Sequence, residues 1–248
     1  MSIQTVGIVG GGVMGSGIGQ SLAVGGVKVI IRDMNDELIA KSKATIVDGR
    51  YGLNRGVERG KTTQAEADAA LSRLSWTTNV KDYASVDLVI EAVPEDLELK
   101  KKVWGELDGI VKADAVFATN TSGLSIQDLN KAVSDARKPK FLGMHFFSPV
   151  PVMKLVEIII APETGEEAIA AIEDVCSRMG KATVRAKDAP GKYGFIANRI
   201  YFAAVREAQA VLKEEIATAE DINKAMVMGF NWPVGPLAMI EGATKGWQ

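Results

Sequence analysis

A glycine-rich turn near the N-terminus constrains this chain more than any other feature. Residues 10–15 read Gly-Gly-Gly-Val-Met-Gly, and they follow the β-branched run Thr5–Val9. The turn therefore carries the G-x-G-x-x-G spacing between a predicted strand and a predicted helix. Such a turn presents the unpaired N–H groups and the positive dipole end of the helix to a pyrophosphate. It predicts a dinucleotide-binding unit, although a glycine-rich turn without a ligand is the alternative.

Each glycine of this turn has its own predicted role. Gly10 permits the tight turn, Gly12 lets a pyrophosphate approach the backbone, and Gly15 allows the helix to pack close to the strand. The two residues before the last glycine, Val13 and Met14, are predicted cofactor contacts as well.

Asp33 indicates which dinucleotide is bound. It follows the second apolar run, Val27–Ile31, about 20 residues after the glycine turn, as the dinucleotide fingerprint requires. A carboxylate at this position can accept both hydroxyls of the adenosine ribose, and it would repel a 2′-phosphate. Arg32 beside it leaves an opening for NADP, but the sequence favours NAD.

Apolar runs alternate along the chain with longer stretches of helical spacing. Near-continuous apolar runs are typical of buried parallel strands, and the segments between them suit crossover helices. One predicted helix spans 163–179, and Thr63-Gln-Ala-Glu66 is typical of a capping box that begins another. The alternation predicts a doubly wound, mostly parallel α/β sheet. The predicted strands are Thr5–Val9, Val27–Ile31, Val86–Val93, Ala115–Thr119, Phe141–Phe147, Leu155–Ile160 and Ala182–Val184.

The pattern changes at Asp188-Ala-Pro-Gly191, and no strand is predicted beyond it. Helical spacing covers 195–214, and a cap at Thr218 begins a second helix. We therefore predict two domains. A Rossmann-type NAD-binding domain covers 1–190, and a smaller, all-helical domain covers 191–248.

Composition excludes several other classes of protein. With 248 residues, 47% of them hydrophobic, the chain can bury a sizeable core and is not disordered. Its 29 basic and 31 acidic residues argue against a nucleic-acid binder, and one cysteine with one histidine argues against a metal site. No run approaches about 18 apolar residues, and no signal peptide begins the chain, so we expect no membrane association and a soluble cytoplasmic protein.

His145 is the only histidine, at the end of a predicted strand, where open α/β sheets bind their ligands. An imidazole there could act as a general base for an alcohol proton. Glu157 interrupts an apolar run, where a buried carboxylate is costly unless it is paired. A short connection stiffened by Pro149 and Pro151 separates the two, so a His–Glu pair that orients the imidazole is predicted. A core histidine and a strand-end glutamate in water are the alternatives.

Six short motifs occur in order along the chain: Val6–Gly15, Val89–Glu95, Asn120–Ser125, Gly143–Pro149, Pro151–Glu157 and Gly194–Arg199. Together they resemble the motifs of the L-3-hydroxyacyl-CoA dehydrogenase family, and most closely its bacterial 3-hydroxybutyryl-CoA branch. The resemblance covers nearly the whole chain. It implies NAD-dependent, reversible conversion of an (S)-3-hydroxyacyl-CoA, of short chain, into a 3-ketoacyl-CoA, in fatty-acid or butanoate metabolism, by a homodimer.

The resemblance also implies roles for individual residues. His145 is similar to the family's catalytic base and Glu157 to its partner. Ser122 matches the serine that binds the substrate 3-oxygen and borders the cofactor, and Asn198 matches the asparagine that holds the substrate near the nicotinamide. Two further positions match residues that line the cofactor site, Glu95 and Lys100.

The acyl-CoA substrate requires a surface for its phosphates. The family binds CoA with basic and polar residues of the helical region after Asp33. Arg50 and Arg55 are the candidates here, although glycines fall near the family's own CoA positions and a solvated helix face is the alternative.

Three features depart from the family pattern. Ser148 replaces the usual asparagine, and Lys192-Tyr-Gly194 interrupts the usual Pro-Gly-Phe junction between the domains. The family also continues for several tens of residues past Gln248, so we expect either a short variant or a truncated chain. Apolar residues of the short helical domain should then be covered by a second subunit through 195–248. They are Ile200, Val211, Leu212, Met226, Met228, Leu237 and Met239.

Two other functions stay open at this point. A related dehydrogenase of a sugar acid such as gulonate could use the same scaffold, and it would not bind CoA. A non-catalytic dinucleotide-binding protein would result if the short helical domain no longer closed over a substrate. The chain keeps all four predicted catalytic residues, which argues against a non-catalytic protein. They are Ser122, His145, Glu157 and Asn198.

Overall fold

The computed structural model describes residues 2–245, which form two compact units that divide between Phe195 and Ile196. The first unit is an α/β domain and the second is helical, as predicted. The last residues of the predicted second domain, 246–248, lie outside the described part of the chain.

Within residues 2–195, eight strands form one sheet in the order β3-β2-β1-β4-β5-β6-β7-β8. The first six run parallel to one another, while β7 is antiparallel to β6 and β8 is parallel to β7. The strands are β1 Thr5–Val9, β2 Lys28–Arg32, β3 Leu74–Thr77, β4 Leu88–Glu91, β5 Val116–Thr119, β6 Phe141–Phe146, β7 Leu155–Ile160 and β8 Ala182–Lys187.

Helices cover both faces of this sheet. Successive residues of β4 and β5 alternate between two apolar clusters, because side chains along a strand point to opposite faces. One cluster includes residues of α1 and α7, and the other includes residues of α5 and α6. The helices of this unit are α1 Val13–Val24, α2 Asp36–Asp48, α3 Leu53–Glu58, α4 Gln64–Leu71, α5 Leu97–Asp108, α6 Ile126–Leu129 and α7 Glu166–Arg178.

The structure differs from the sequence-based prediction at three strands. The prediction omitted β3, whose four residues include Ser75 and Thr77 and carry no clear apolar run. It treated β7 as another buried parallel strand, but only about eight residues join β6 to β7, and a parallel crossover needs a dozen or more. The reversed β7 therefore pairs antiparallel. The last strand, β8, is mostly exposed at the sheet edge.

Tyr83 fixes the strand ends that carry the glycine turn. Its buried hydroxyl donates to the Ile8 carbonyl oxygen, and it accepts a hydrogen bond from the Arg32 backbone N–H at 3.1 Å. Burial raises the pKa of Tyr83 well above its ordinary value, so the phenol stays protonated. The phenol thus joins β1 to β2 just before the chain reaches Gly10 and Asp33.

The second unit consists, in its described part, of α8 Ala197–Lys213, α9 Ala219–Phe230 and α10 Pro236–Lys245. Thr218 caps α9, because its side chain accepts the Asp221 backbone N–H at 3.1 Å. Asn231 ends that helix in the left-handed conformation, with φ 56°. Within residues 2–245, no helix is both long and apolar enough to span a membrane.

Candidate active site

Most of the predicted site residues of the first unit lie at the carboxyl ends of the parallel strands. The glycine turn follows β1, Asp33 follows β2, Glu95 follows β4, Ser122 follows β5, and His145 lies near the end of β6. The chain order reverses between β1 and β4, which are adjacent although β2 and β3 separate them in sequence. Open α/β sheets bind ligands in the crevice at such a switch point.

Two of the three fingerprint glycines are required by close contacts within the protein. Gly10 has φ +96°, and a Cβ atom there would lie 2.8 Å from the Ala92 carbonyl oxygen. A Cβ atom on Gly15 would overlap the Gly10 carbonyl oxygen and press on Ile8, so helix α1 can approach β1 only with glycine. Gly12 is different, because a Cβ atom there would meet open space. Glycine at that position leaves the first turn of α1 accessible to a ligand.

The N-terminus of α1 fits a dinucleotide pyrophosphate. Gly12 is the N-cap residue, none of the described side chains caps the helix there, and its first turn holds no acidic residue. The backbone N–H groups of that turn are therefore placed to bind an anion. The Val13 side chain is 74% exposed at the same end, whereas Met14 packs partly against the core.

Asp33 lies beside this turn, as the ribose interpretation requires. One carboxylate oxygen, Oδ2, accepts the Gly11 backbone N–H at 2.8 Å, and Oδ1 accepts the Met34 N–H at 2.7 Å. These two bonds fix the carboxylate at the end of β2, next to the glycine turn. Each carboxylate oxygen has a second lone pair with which to accept a ribose hydroxyl.

His145 and Glu157 form a buried pair across two strands. They are direct partners in the antiparallel register of β6 and β7, and the His145 Nδ1 atom lies 2.6 Å from Glu157 Oε2. The imidazole is 3% exposed and the carboxylate is completely buried. A carboxylate held against Nδ1 selects the tautomer with the proton on Nδ1, which leaves the lone pair on Nε2. The predicted pair is confirmed as a contact.

Neighbouring groups hold this pair in place. The Asn120 side-chain oxygen accepts the Phe146 backbone N–H at 3.0 Å, which joins the loop after β5 to the end of β6. The connection between β6 and β7 is fixed by Lys181, whose ammonium donates to the carbonyls of Val150 and Met153, each at 2.7 Å. Burial lowers the pKa of Lys181.

Two aromatic rings enclose the imidazole. The ring of Phe147 lies 4.6 Å from the His145 ring, and that of Phe195 lies 5.7 Å away in an edge-on arrangement. The imidazole therefore faces an apolar wall. Such a wall keeps water away from a base and strengthens its interaction with a charged partner.

A second buried ion pair lies at the end of β4. The Glu91 carboxylate, completely buried, accepts Lys100 Nζ at 2.6 Å and the Val93 backbone N–H at 2.8 Å through Oε1. Its other oxygen accepts the Thr119 hydroxyl at 2.7 Å. Lys100 is only 1% exposed, so it is not a solvated surface lysine. Glu91 has no role in the sequence-based prediction, although it interrupts an apolar strand just as Glu157 does.

Glu95 connects this ion pair to the loop after β5. Its Oε1 atom accepts the Thr121 hydroxyl at 2.5 Å and the Ser122 backbone N–H at 2.9 Å, while Oε2 lies 3.3 Å from Lys100 Nζ. The predicted cofactor residue Glu95 thus contacts both Lys100 and the loop that carries Ser122. Glu95 itself is 41% exposed and can contact a ligand.

Four other residues named in the sequence analysis lie on other elements of the chain. Arg55, on α3, pairs with Glu58 at 2.6 Å on the surface, and Arg50 lies in the turn after α2, over the Tyr51 ring. Asn198 lies in the first turn of α8, in the second unit, and Ser148 follows β6.

This fold and site define a class: a Rossmann-type, NAD-binding dehydrogenase with a buried His–Glu pair. Two family models match the chain, "3-hydroxyacyl-CoA dehydrogenase, NAD binding domain" over residues 5–189 and "3-hydroxyacyl-CoA dehydrogenase, C-terminal domain" over residues 194–247. The chain belongs to the 3-hydroxyacyl-CoA dehydrogenase family, and its first unit is the family's NAD-binding domain.

Named relatives agree with this assignment. A 3-hydroxybutyryl-CoA dehydrogenase of Mycobacterium tuberculosis is 40% identical over 240 residues, which cover 96% of this chain and 81% of the relative. The mitochondrial hydroxyacyl-coenzyme A dehydrogenase of Rattus norvegicus is 37% identical, with coverage of 96% and 76%. The crystal structure of an (S)-3-hydroxybutyryl-CoA dehydrogenase from Ralstonia eutropha is 42% identical and covers 96% of this chain and 81% of its own, with a TM-score of 0.90.

Removing the Glu91 carboxylate should destabilise the protein strongly. Glu91→Ala leaves the Lys100 ammonium buried without its 2.6 Å partner, and breaking a buried pair in this way lowers the free energy of unfolding by about 3–5 kcal/mol. Urea denaturation measures the difference. The matched control is Glu98→Ala, which removes the exposed Glu98–Lys101 pair and should change stability by only about 0–1 kcal/mol. Equal effects of the two variants would contradict the structural role of Glu91.

Proposed function

We propose that this chain is an NAD-dependent dehydrogenase that interconverts (S)-3-hydroxyacyl-CoA and 3-ketoacyl-CoA, with the four-carbon pair, 3-hydroxybutyryl-CoA and acetoacetyl-CoA, as its main substrates. The observation that carries the proposal is the buried His145–Glu157 pair at the carboxyl end of β6. It supplies an oriented base at the edge of the sheet where the NAD-binding turn also lies. The relatives named above support the choice of acyl-CoA as substrate.

In the proposed oxidation, His145 is the catalytic base. Its Nδ1–H donates to Glu157, so Nε2 accepts the proton of the substrate 3-hydroxyl. The imidazolium that forms lies directly against the buried Glu157 carboxylate, which stabilises the positive charge. In the reverse direction the same Nε2 returns the proton to the forming alcohol, and Glu157 holds the ring in position throughout.

The remaining residues position the substrate and the cofactor in this proposal. NAD, when bound, supplies the hydride acceptor for carbon 3 of the substrate. The Ser122 hydroxyl donates to the 3-oxygen, on a loop fixed by the Glu95 carboxylate. The glycine turn binds the pyrophosphate, and Glu95 and Lys100 line the cofactor site. Asn198 holds the substrate, and Arg50 and Arg55 bind CoA phosphates.

Replacing the base should reduce turnover without preventing cofactor binding. His145→Gln should lower kcat by roughly 10²–10⁴, the usual contribution of general acid–base catalysis. The decrease in NADH absorbance with acetoacetyl-CoA measures it, and NADH fluorescence checks that cofactor binding is unchanged. Glu157→Gln should also lower kcat, because the imidazolium loses its counter-charge. Near-full activity of His145→Gln would show that another group is the base.

Removing the Asp33 carboxylate should narrow the preference of the enzyme for NAD(H) over NADP(H). In Asp33→Ala the ribose hydroxyls lose their acceptor and a 2′-phosphate is no longer repelled, so the ratio of kcat/KM for NADH over NADPH should fall. Stability should be checked in parallel, because Asp33 also accepts two backbone N–H groups. A wild-type protein that uses NADH and NADPH equally well would contradict this function for Asp33.

We also propose a two-fold symmetric homodimer formed mainly through residues 195–248. Exposed apolar side chains of the second unit support it: Ile200 is 65% exposed, Met228 78% and Phe230 75%. Of the apolar residues expected at that surface, Leu212 is exposed as well, and Val211, Met226, Leu237 and Met239 are half-buried. Sedimentation velocity across a concentration series should show a dimer, whereas a monomer at every concentration would refute the proposal.

A further inference from the structure

The three residues that interrupt the family's Pro-Gly-Phe junction belong to a turn bounded by two left-handed glycines. Gly191 has φ +74° and Gly194 has φ +71°, so Lys192 and Tyr193 lie between two positions that favour glycine. The Lys192 backbone N–H donates to the Ala189 carbonyl at 3.1 Å, which closes the turn. The side chains of Lys192 and Tyr193 are thereby placed at a defined position of the chain.

Both ends of the segment that contains this turn contact elements of the candidate site. At its start, the Asp188 carboxylate accepts the Ser125 hydroxyl and the Gln127 backbone N–H, both at 2.9 Å. At its end, the Phe195 ring contacts the His145 ring at 5.7 Å. The turn is therefore fixed at one end to the loop after β5 and at the other to the proposed base.

Tyr193 occupies the position between these two attachments. Its ring lies directly against Gly123, the residue after Ser122, so closely that a Cβ atom on Gly123 would overlap the ring carbons. The contact explains why residue 123 is glycine, although its φ is ordinary. At the same time the Tyr193 side chain is 61% exposed, so one part of the ring packs on the Ser122 loop and the other part is accessible.

We propose that Tyr193 is a specificity-determining residue that limits the length of the acyl chain. The inference rests on the proposed function, because Ser122 and His145 there hold the 3-oxygen of the substrate. Tyr193 lies against Gly123, the residue after Ser122, and two positions before Phe195, which contacts His145. In this proposal its ring, with Phe147 and Phe195 beside the imidazole, bounds the space near carbon 3. A short alkyl end fits beside such a boundary, whereas additional methylenes would collide with it.

The chemistry of the ring favours the acyl chain over the CoA end of the substrate. CoA phosphates are bound by cationic groups or by backbone N–H groups at helix termini. Tyr193 offers an apolar face instead, and an alkyl chain is the apolar part of an acyl-CoA. An apolar pocket discriminates between chains that differ by one methylene by about 10- to 200-fold in kcat/KM.

The test compares acetoacetyl-CoA with 3-ketohexanoyl-CoA and 3-ketooctanoyl-CoA in the NADH assay. Tyr193→Ala should raise the ratio of kcat/KM for the longer substrates over acetoacetyl-CoA by at least about tenfold. Tyr193→Phe, which keeps the ring, should retain the wild-type ratio. Gly123→Ala should shift the ratio in the same direction as Tyr193→Ala, because the new methyl group displaces the ring. Lys192→Ala is the matched control from the same turn and should leave activity and ratio unchanged.

The outcomes separate this inference from the proposed function. A wild-type chain that oxidises NADH with none of the three substrates refutes the proposed function. A wild-type chain that is active, with a ratio unchanged or lowered in Tyr193→Ala, refutes only the role of Tyr193. A shift in Tyr193→Phe as large as that in Tyr193→Ala would assign the effect to the hydroxyl and also overturn the chain-length proposal.

Discussion

The antiparallel pairing of β6 with β7 is the constraint on which the candidate site depends. It places Glu157 directly opposite His145, and the two side chains meet at 2.6 Å without any loop residue between them. Directly opposed residues of an antiparallel pair have their Cα atoms only about 4.5–5.5 Å apart. A slip of one residue would move Glu157 to the other face of the sheet. The register of two strands therefore determines whether the imidazole has a counter-charge.

The same face of the sheet carries a second buried carboxylate, Glu91. Side-chain alternation puts Glu91 and Glu157 on the face covered by α5 and α6, where the neighbouring strand residues pack against Trp104 and Leu129. Both carboxylates are completely buried, and both are compensated by one strong partner. Their contexts differ, however. Glu91 is paired with the amino group of a lysine, whereas Glu157 is paired with an imidazole, whose second ring nitrogen can accept or donate a proton. The first arrangement suits a structural role, and the second suits proton transfer.

Much of the fold could be predicted because its signals are local. The glycine turn, the apolar runs and the helix caps at Thr63 and Thr218 depend on neighbours within a few residues, and the structure contains each of them. The contact between His145 and Glu157 was also predictable, because a carboxylate inside a buried apolar strand is costly unless a polar or charged group pairs with it. Glu91 is also a carboxylate inside an apolar strand, so its burial could have been predicted in the same way. Its partner Lys100, however, lies in the first turn of α5 and looks like a solvated lysine in the sequence. Burial of a lysine depends on tertiary packing, which local pattern does not contain.

The length of the connection between β6 and β7 determines the direction in which β7 runs. A parallel strand needs a crossover, and only about eight residues separate β6 from β7, so the chain must reverse there. After that reversal, α7 provides a true crossover, and β8 again runs parallel to β7. The reversal has a consequence for chemistry. The short connection brings a carboxylate from the next, antiparallel strand directly opposite the imidazole. The sheet therefore changes direction at the strand where the proposed reaction needs a base with a buried counter-charge.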